Sequence, residues 1–273
     1  MLSGTTVTLR SGTRLPVVGL GVWQSPSGGP TRDAVIAALQ LGYRHIDTAR
    51  VYQNERDVGE GIRASGIPRD QIFVTTKLWN DDHGRDKTLR AFDKSLERLG
   101  LDYVDLYLIH WPVAGKRLET WQAFEELHAQ GRAKAIGVSN YLVPHLQELF
   151  AHANRKPDAN QIELTPFLQR RDTVALCQRE GIAIEAYSPL TRGEKLGHHD
   201  VVAIAHEVSR TPAQVLLRWG VQKGFVVLPK SVRPARIAEN GALFDFSLTD
   251  AQMARLDGLE ENLATGWDPA EQP

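Results

Sequence analysis

The strongest constraint on the fold of this chain is a rhythm: eight short apolar, β-branched runs, each followed by a longer amphipathic stretch, from near residue 16 to near residue 239. Runs without a polar face suit parallel strands, because a helix crossing back over the sheet covers the side that water would otherwise reach. The runs lie at 16–20, 44–49, 72–78, 104–110, 135–140, 159–164, 182–187 and 225–231. Helical patterns separate them at 31–41, 54–65, 85–99, 118–130, 143–152, 171–180, 201–208 with 212–222, and 233–239. Punctuation agrees: Thr211-Pro212 sets a capping residue before a first-turn proline, and Gly42, Gly66, Gly100, Gly131 and Gly181 each follow a helical pattern.

Eight strand-then-helix units predict a closed α/β barrel, the (β/α)8 TIM barrel, and the 273 residues suit one such domain spanning 1–273. No Pro/Gly/Ser-rich linker or charge block marks a boundary. An open, doubly wound sheet is the competing arrangement; it needs a ligand crevice where the strand order reverses. Two additions flank the repeat. Thr6-Val7-Thr8-Leu9-Arg10 and Thr13-Arg14-Leu15 alternate on either side of Ser11-Gly12, which predicts an N-terminal β-hairpin plugging one end. Thr249 with Gln252 three residues on is a capping-box pattern that opens an extra C-terminal helix. The polar tail 265–273 is expected to be mobile.

With 32 basic and 33 acidic residues, no sequence-wide field recruits nucleic acid or an anionic membrane. The first 25 residues lack the apolar core of a signal peptide and no run reaches a membrane span, so the expectation is a cytoplasmic protein. No obligate protein partner is evident in the sequence. Cys177, the single cysteine, excludes an internal disulfide and reads as a buried helical thiol. His198-His199 and His206 read as surface histidines rather than a metal site, since no carboxylate joins them at ligand spacing. His83, His128, His145 and His152 are expected in polar surroundings.

Chemistry collects at the ends of the runs. Asp47 and Tyr52 follow the second, while Lys77 and His110 stand at the ends of the third and fourth. Strand ends are where parallel α/β sheets keep their active sites, and strands two, three and four are neighbours in a barrel. An ammonium about 4 Å from a phenol, at an effective dielectric near 20, stabilises the phenolate by at most about 4 kcal/mol, with desolvation opposing part of this. The expectation is a Tyr52 tuned down towards the working pH as a general acid, an Asp47 that holds and charges Lys77, and a neutral His110 that orients a carbonyl. Individually each residue has a plain structural reading, as an ion pair, a satisfied core group or rim packing.

Together the motifs resemble the aldo-keto reductases. The resemblance rests on Gly42-Tyr43-Arg44-His45-Ile46-Asp47-Thr48-Ala49, Tyr52, Asn54-Glu55, Thr76-Lys77-Leu78-Trp79 and Leu108-Ile109-His110-Trp111-Pro112. It extends from Gly19-Leu20-Gly21 to Pro229-Lys230-Ser231 and Arg236-Ile237-Ala238-Glu239-Asn240. It implies a (β/α)8 barrel catalysing reversible NADPH-dependent reduction of aldehydes and ketones, with Tyr52 as proton donor, Lys77 and Asp47 tuning it, and His110 orienting the substrate. The short connection after His110 is most similar to the compact microbial 2,5-diketo-gluconate and methylglyoxal reductase branch, and implies an open pocket for small aldehydes, α-dicarbonyls and keto sugars.

Gly19-Leu20-Gly21-Val22-Trp23-Gln24 fails as a dinucleotide fingerprint, and Gly19 and Gly21 read as a strand-end turn. Near the C-terminus, Lys230, Ser231 and Arg236 surround the start of the last barrel helix, where free amides favour an anion. Alone, this cluster reads equally as a solvated basic face. The resemblance implies that these three hold the adenosine 2′-phosphate of NADPH/NADP, with Glu239 and Asn240 on the adenine and Arg233 unassigned. It places Ser139, Asn140 and Gln161 on the nicotinamide carboxamide, Tyr187 beneath the ring, and Ser188, Leu190 and Gly193, with Lys195 nearby, along the pyrophosphate. Trp23, Trp79 and Trp111 would line the substrate pocket or pack the rim. Arg50, odd between Asp47 and Tyr52, reads as a rim residue paired with a nearby acid, or else as a lure for anionic substrates. A rival function keeps the barrel and NADPH but acts as a sensor or regulatory subunit with little turnover. An aldolase using Lys77 as a Schiff base is more remote.

Overall fold

A computed structural model, which describes residues 4–271, closes the eight-run rhythm into a barrel. The chain opens with the hairpin: β1 (Thr6–Thr8) pairs antiparallel with β2 (Arg14–Pro16), and the Leu9 amide donates to the Thr13 carbonyl at 2.9 Å across a turn in which Gly12 adopts φ +84°. Eight parallel strands follow in sequence order: β3 (Leu20–Gly21), β4 (His45–Asp47), β5 (Phe73–Leu78), β6 (Val104–Ile109), β7 (Ala133–Ser139), β8 (Ala159–Glu163), β9 (Ala183–Tyr187) and β10 (Val226–Leu228). Helices α1 (Gly29–Gln40), α2 (Glu55–Ala64), α3 (Arg85–Leu99), α4 (Arg117–Ala129), α5 (Val143–His152) and α6 (Arg171–Arg179) cross between consecutive strands. The pair α7 (His199–Glu207) and α8 (Pro212–Gln222) precedes β10, and α9 (Pro234–Gly241) and α10 (Asp250–Asp257) follow it. Thr249 forms the capping box that its sequence predicts, and Thr211, expected as a cap, closes a capping box with Gln214 as well.

Closure decides between the two candidate sheets. The Gly19 amide donates to the Val227 carbonyl at 3.0 Å, the Val227 amide to Val17 at 2.9 Å, and the Gly21 amide to Pro229 at 3.1 Å, so the last strand meets the first. The first barrel strand is shorter than the expected 16–20 because Pro16 ends the hairpin and residues 17–19 bond across the seam. Gly19 and Gly21 are therefore seam residues rather than a turn. A Cβ at Gly19 would fall 2.7 Å from the His45 ring, and one at Gly21 3.1 Å from the Leu228 carbonyl oxygen.

Two cores follow from the two-residue period of the strands. Outward residues such as Ile46, Val74, Tyr107, Ile136, Ile162 and Ile184 meet Val35, Phe92, Phe124, Leu146 and Leu217 of the helices. Inward residues Phe73, Leu106, Leu108, Ala135, Ala159 and Val226 pack on Leu9 and Leu15 of the hairpin segment. Because Phe73, Ala159 and Val226 begin their strands, the hairpin plugs the N-terminal end, as expected, and leaves the C-terminal end to polar groups. The tail corrects an expectation. Thr265 bonds Glu163 through both its amide and its hydroxyl, and Asp268 pairs with Arg170 at 2.7 Å, so the start of the tail is tied to the barrel rim. No helix among the described residues is long and apolar enough to cross a membrane.

Candidate active site

Inward parity carries the site residues to one place. Asp47 ends β4 two residues after inward His45, Lys77 stands in β5 two after Thr75 and four after Phe73, and His110 follows β6 two after Leu108. Tyr52 arrives from outside the strands, at the end of a tight helical turn over Arg50–Tyr52. The structure brings all four together. Lys77 Nζ, wholly buried, donates to Asp47 Oδ1 at 2.7 Å and to the Thr48 carbonyl at 2.9 Å, and lies 3.4 Å from the Tyr52 hydroxyl. His110 stands edge-on to both Tyr52 and Trp79, at ring separations of 5.8 and 5.3 Å.

The turn that presents Tyr52 is fastened from below. Thr48 Oγ1 donates to Asn54 Oδ1 at 2.9 Å and Asn54 Nδ2 to the Val22 carbonyl at 2.9 Å, while Gln53 takes φ +58° to re-enter α2. Glu55 is buried between the Thr76 hydroxyl and Arg98, both at 2.6 Å. Asn54 and Glu55 thus act as scaffold for the phenol.

Burial and the buried ion pair decide the charges. Desolvation opposes the Lys77 ammonium, but Asp47, Tyr52 and Glu185 outweigh it and hold the lysine above its ordinary range. Desolvation also pushes the Tyr52 phenol above its ordinary value, with Lys77 pulling it back only in part. This reverses the expected downward tuning. The ammonium is visible in the sequence, but neither the desolvation of the half-buried phenol nor the opposing charge of Asp47, which also raises it, can be read there. His110 is driven well below the usual imidazole range by burial and then by Lys77, so it is neutral, as expected.

Four of the predicted cofactor residues, Ser139, Asn140, Gln161 and Tyr187, are neighbours, although they spend hydrogen bonds within the protein. Ser139 Oγ donates to the Gln161 carbonyl at 2.7 Å, Asn140 Nδ2 to the His110 carbonyl at 2.9 Å, and the half-buried Tyr187 donates to Asn140 Oδ1 at 2.8 Å. Gln161 Nε2 reaches down to Asp47 Oδ2 at 2.9 Å and Glu185 Oε2 at 3.2 Å. In the loop after β9, Ser188, Thr191 and Arg192 take left-handed backbone at φ +47°, +50° and +52°, with Leu190 among them and Gly193 following at φ +95°. Lys195 turns aside to Glu261 at 2.6 Å. At the start of α9, Lys230, Arg233 and Arg236 are exposed and make no ion pair among the described residues, and Ser231 Oγ accepts the Arg233 amide at 3.0 Å. Three unpaired cations, a hydroxyl and free helix amides fit a phosphate ester. Glu239 accepts from the Thr211 hydroxyl at 2.7 Å, and Asn240 is buried beside it.

Around the mouth, the Arg192 guanidinium lies 4.5 Å over the Trp23 ring, and Trp111 stands 6.0 Å from Trp267, which is 72% exposed. The sequence singled out neither Arg192 nor Trp267, because nothing local marks a loop arginine or a tail tryptophan as facing the rim. Arg50 is exposed and, against expectation, makes no ion pair among the described residues; it shares a groove with Asp81, Asp82 and the basic side of α3. Two histidines also depart from expectation: His83 and His145 are buried, the first pushed down to about 4 by desolvation and the second accepting the Leu142 amide at the start of α5. Asp200 brings a carboxylate within 4.8 Å of both His198 and His199, which corrects the spacing argument, but Arg255 holds it at 3.1 Å. Cys177 is buried, its thiol pushed up to about 11.

Beneath the four residues lie two groups the sequence did not flag, His45 and Glu185. Both are wholly buried, with His45 Nε2 3.8 Å from Glu185 Oε1 and 3.0 Å from Thr75 Oγ1. The available signal was parity: His45 sits two residues before Asp47, and Glu185 two before Tyr187, both inward.

Known proteins share this architecture. Residues 17–261 match the sequence model of the aldo/keto reductase family. The chain is 48% identical over 266 residues to a 9,11-endoperoxide prostaglandin H2 reductase of Trypanosoma cruzi, covering 96% of this chain and 94% of that protein. It is 46% identical over 266 residues to a glyoxal reductase of Bacillus subtilis, covering 97% and 96%. The crystal structure of a Bombyx mori aldo-keto reductase in complex with NADP superposes with a TM-score of 0.92 at 38% identity, covering 98% of this chain and 97% of that one.

Proposed function

Because the chain belongs to the aldo/keto reductase family and is an NADP-dependent carbonyl reductase, we propose that it reduces small aldehydes, α-dicarbonyls and keto sugars to alcohols with NADPH, and that Tyr52 is the proton donor. The observation that carries this reading is the Tyr52 hydroxyl 3.4 Å from a wholly buried lysine that is itself 2.7 Å from Asp47. When bound, NADPH supplies the hydride to the carbonyl carbon. His110, neutral, hydrogen-bonds and orients the carbonyl, and Tyr52 hands its proton to the oxygen as negative charge develops there. A raised phenol is adequate, since the alkoxide it protonates is far more basic still. Lys77 and Asp47 keep a fixed positive charge behind the phenol and stabilise the phenolate that remains. The similarity to a glyoxal reductase supports α-dicarbonyls within the substrate range.

For the cofactor, Lys230, Ser231 and Arg236 take the 2′-phosphate, Glu239 and Asn240 the adenine, and Ser188, Leu190 and Gly193 the pyrophosphate. Ser139, Asn140 and Gln161 hold the carboxamide, with Tyr187 beneath the ring. Trp23, Trp79 and Trp111 wall the substrate pocket. The test is NADPH oxidation against a panel of small aldehydes, α-dicarbonyls and keto sugars, for the native chain and Tyr52→Phe. The expected result is turnover by the native protein and a loss of at least about 100-fold in the variant with NADPH binding kept. Tight NADPH binding with no reduction by either protein would replace this reading with a sensor or regulatory role.

A further inference from the structure

Glu185 is a buried carboxyl near the barrel axis that the reduction as described does not use. Its register neighbours are Gln161 on β8 and Val226 on β10. Oε2 accepts the Gln161 side-chain amide at 3.2 Å, and the same amide nitrogen reaches Asp47 Oδ2 at 2.9 Å. Oε1 has no hydrogen-bond partner among the described residues and faces His45 Nε2 at 3.8 Å. The charged or titratable groups that face it are His45 and Asp47 of β4 and Lys77 of β5; β8 offers only the uncharged Gln161 and β10 only Val226. Room for this cluster is built into the seam, since the missing side chain of Gly19 is where the His45 ring lies.

We infer that Glu185 is a positioning residue for proton transfer, acting through Gln161, Asp47 and Lys77 on Tyr52, and that the reduction rate depends on whether Glu185 is ionised. The inference rests on Tyr52 being the proton donor. Protonated, Glu185 leaves Asp47 as the anion that Lys77 answers, and Gln161 bridges the two carboxyl groups without repulsion. Ionised, it sets a second negative charge behind Lys77, which tightens the lysine's hold on its proton and offsets the positive field at Tyr52. The phenol then becomes a weaker acid, and protonation of the substrate slows. Burial, and next the neighbouring Asp47, push the Glu185 carboxyl up to about 8, so this change falls within reach of ordinary assays; His45, pushed down to about 4, stays neutral throughout.

The test is the pH dependence of kcat for reduction of a non-ionising aldehyde at saturating NADPH, from pH 7 to 9, in the native enzyme, Glu185→Gln and Tyr52→Phe. Expected is a fall of about two- to five-fold in the native rate, centred near pH 8, that is absent in Glu185→Gln. A carboxyl that served only packing would alter thermal stability and leave the two profiles superimposed; superimposed profiles overturn the inference. A Tyr52→Phe variant that keeps its rate overturns the donor assignment itself, and with it this inference, whatever the glutamine variant does. Should Glu185→Gln fail to fold, native protein carrying carbon-13 at its glutamate carboxyls answers the same question. One resonance titrating near pH 8, with a midpoint that drops in Asp47→Asn, sustains the inference. None titrating above pH 7, or a midpoint that ignores Asp47, overturns it.

Discussion

Lys77 carries its charge with no exposed surface, a state that costs several kcal/mol unless a partner with good geometry offsets it. Asp47 at 2.7 Å and the Thr48 carbonyl at 2.9 Å supply that geometry, so the pair supports both stability and chemistry. The two roles separate by mutation. Lys77→Met strands the Asp47 carboxylate and is expected to cost about 3–5 kcal/mol of unfolding free energy, together with activity. Adding Asp47→Asn removes the stranded charge and should return part of that stability, read by thermal denaturation, but none of the rate. A double variant that recovered turnover would show the pair to be structural only. At this scale the sequence displayed the residues as types at strand ends. It could not show the direction of the Tyr52 shift, because that depends on how far the phenol is withdrawn from water and on how near the Asp47 charge comes to it.

Among the elements, the helix boundaries were the most legible, since caps and left-handed glycines are local chemistry. Gly100, at φ +65°, ends α3 where expected, and Pro212 starts α8 behind Thr211. Less legible was why α2 carries Gly59: a Cβ there would fall 1.9 Å from the Leu99 carbonyl, so α2 and α3 touch backbone to side-chain position. Only packing reveals such a contact. The start of α9 makes a separate prediction about the cofactor. Lys230 and Arg236 are exposed and free of ion pairs among the described residues, so replacing both with alanine should barely move the melting temperature. NADPH binding should weaken at least about 10-fold while NADH binding changes little, because only the former has a 2′-phosphate to lose two charge-assisted contacts. Equal losses for the two cofactors, measured by quenching of protein fluorescence, would remove the phosphate assignment.

At the scale of the molecule, three buried groups shape stability against pH. His45 and His83 are both depressed from 6.5 to about 4, so their contribution is full above pH 6.5 and is lost as the pH falls through 4. Glu185 is raised from 4.5 to about 8, so its contribution is full below pH 4.5 and is lost as the pH rises through 8. Each amounts to on the order of 3–5 kcal/mol at full extent. Between 4.5 and 6.5 two histidines outweigh one glutamate, which places the stability maximum contributed by these groups near pH 6.5. Denaturant midpoints measured from pH 4 to 9 should trace that dome, with Glu185→Gln flattening its alkaline side and His83→Leu its acid side. An acid side unchanged by His83→Leu would mean that His83 does not carry the loss.

What the sequence by itself determined is the repeat, the plugging hairpin, the capped helices and the four residues at strand ends, because strand parity, cap chemistry and apolar period are properties of neighbours along the chain. Only the tertiary structure decided that the sheet closes, that Gly19 makes room for His45, and that Glu185, 138 positions from Asp47, lies one glutamine away from it. The physical reason is that closure and charge coupling depend on distances through space across the barrel. Inward parity shows that a residue faces the axis, not which residue of another strand stands opposite.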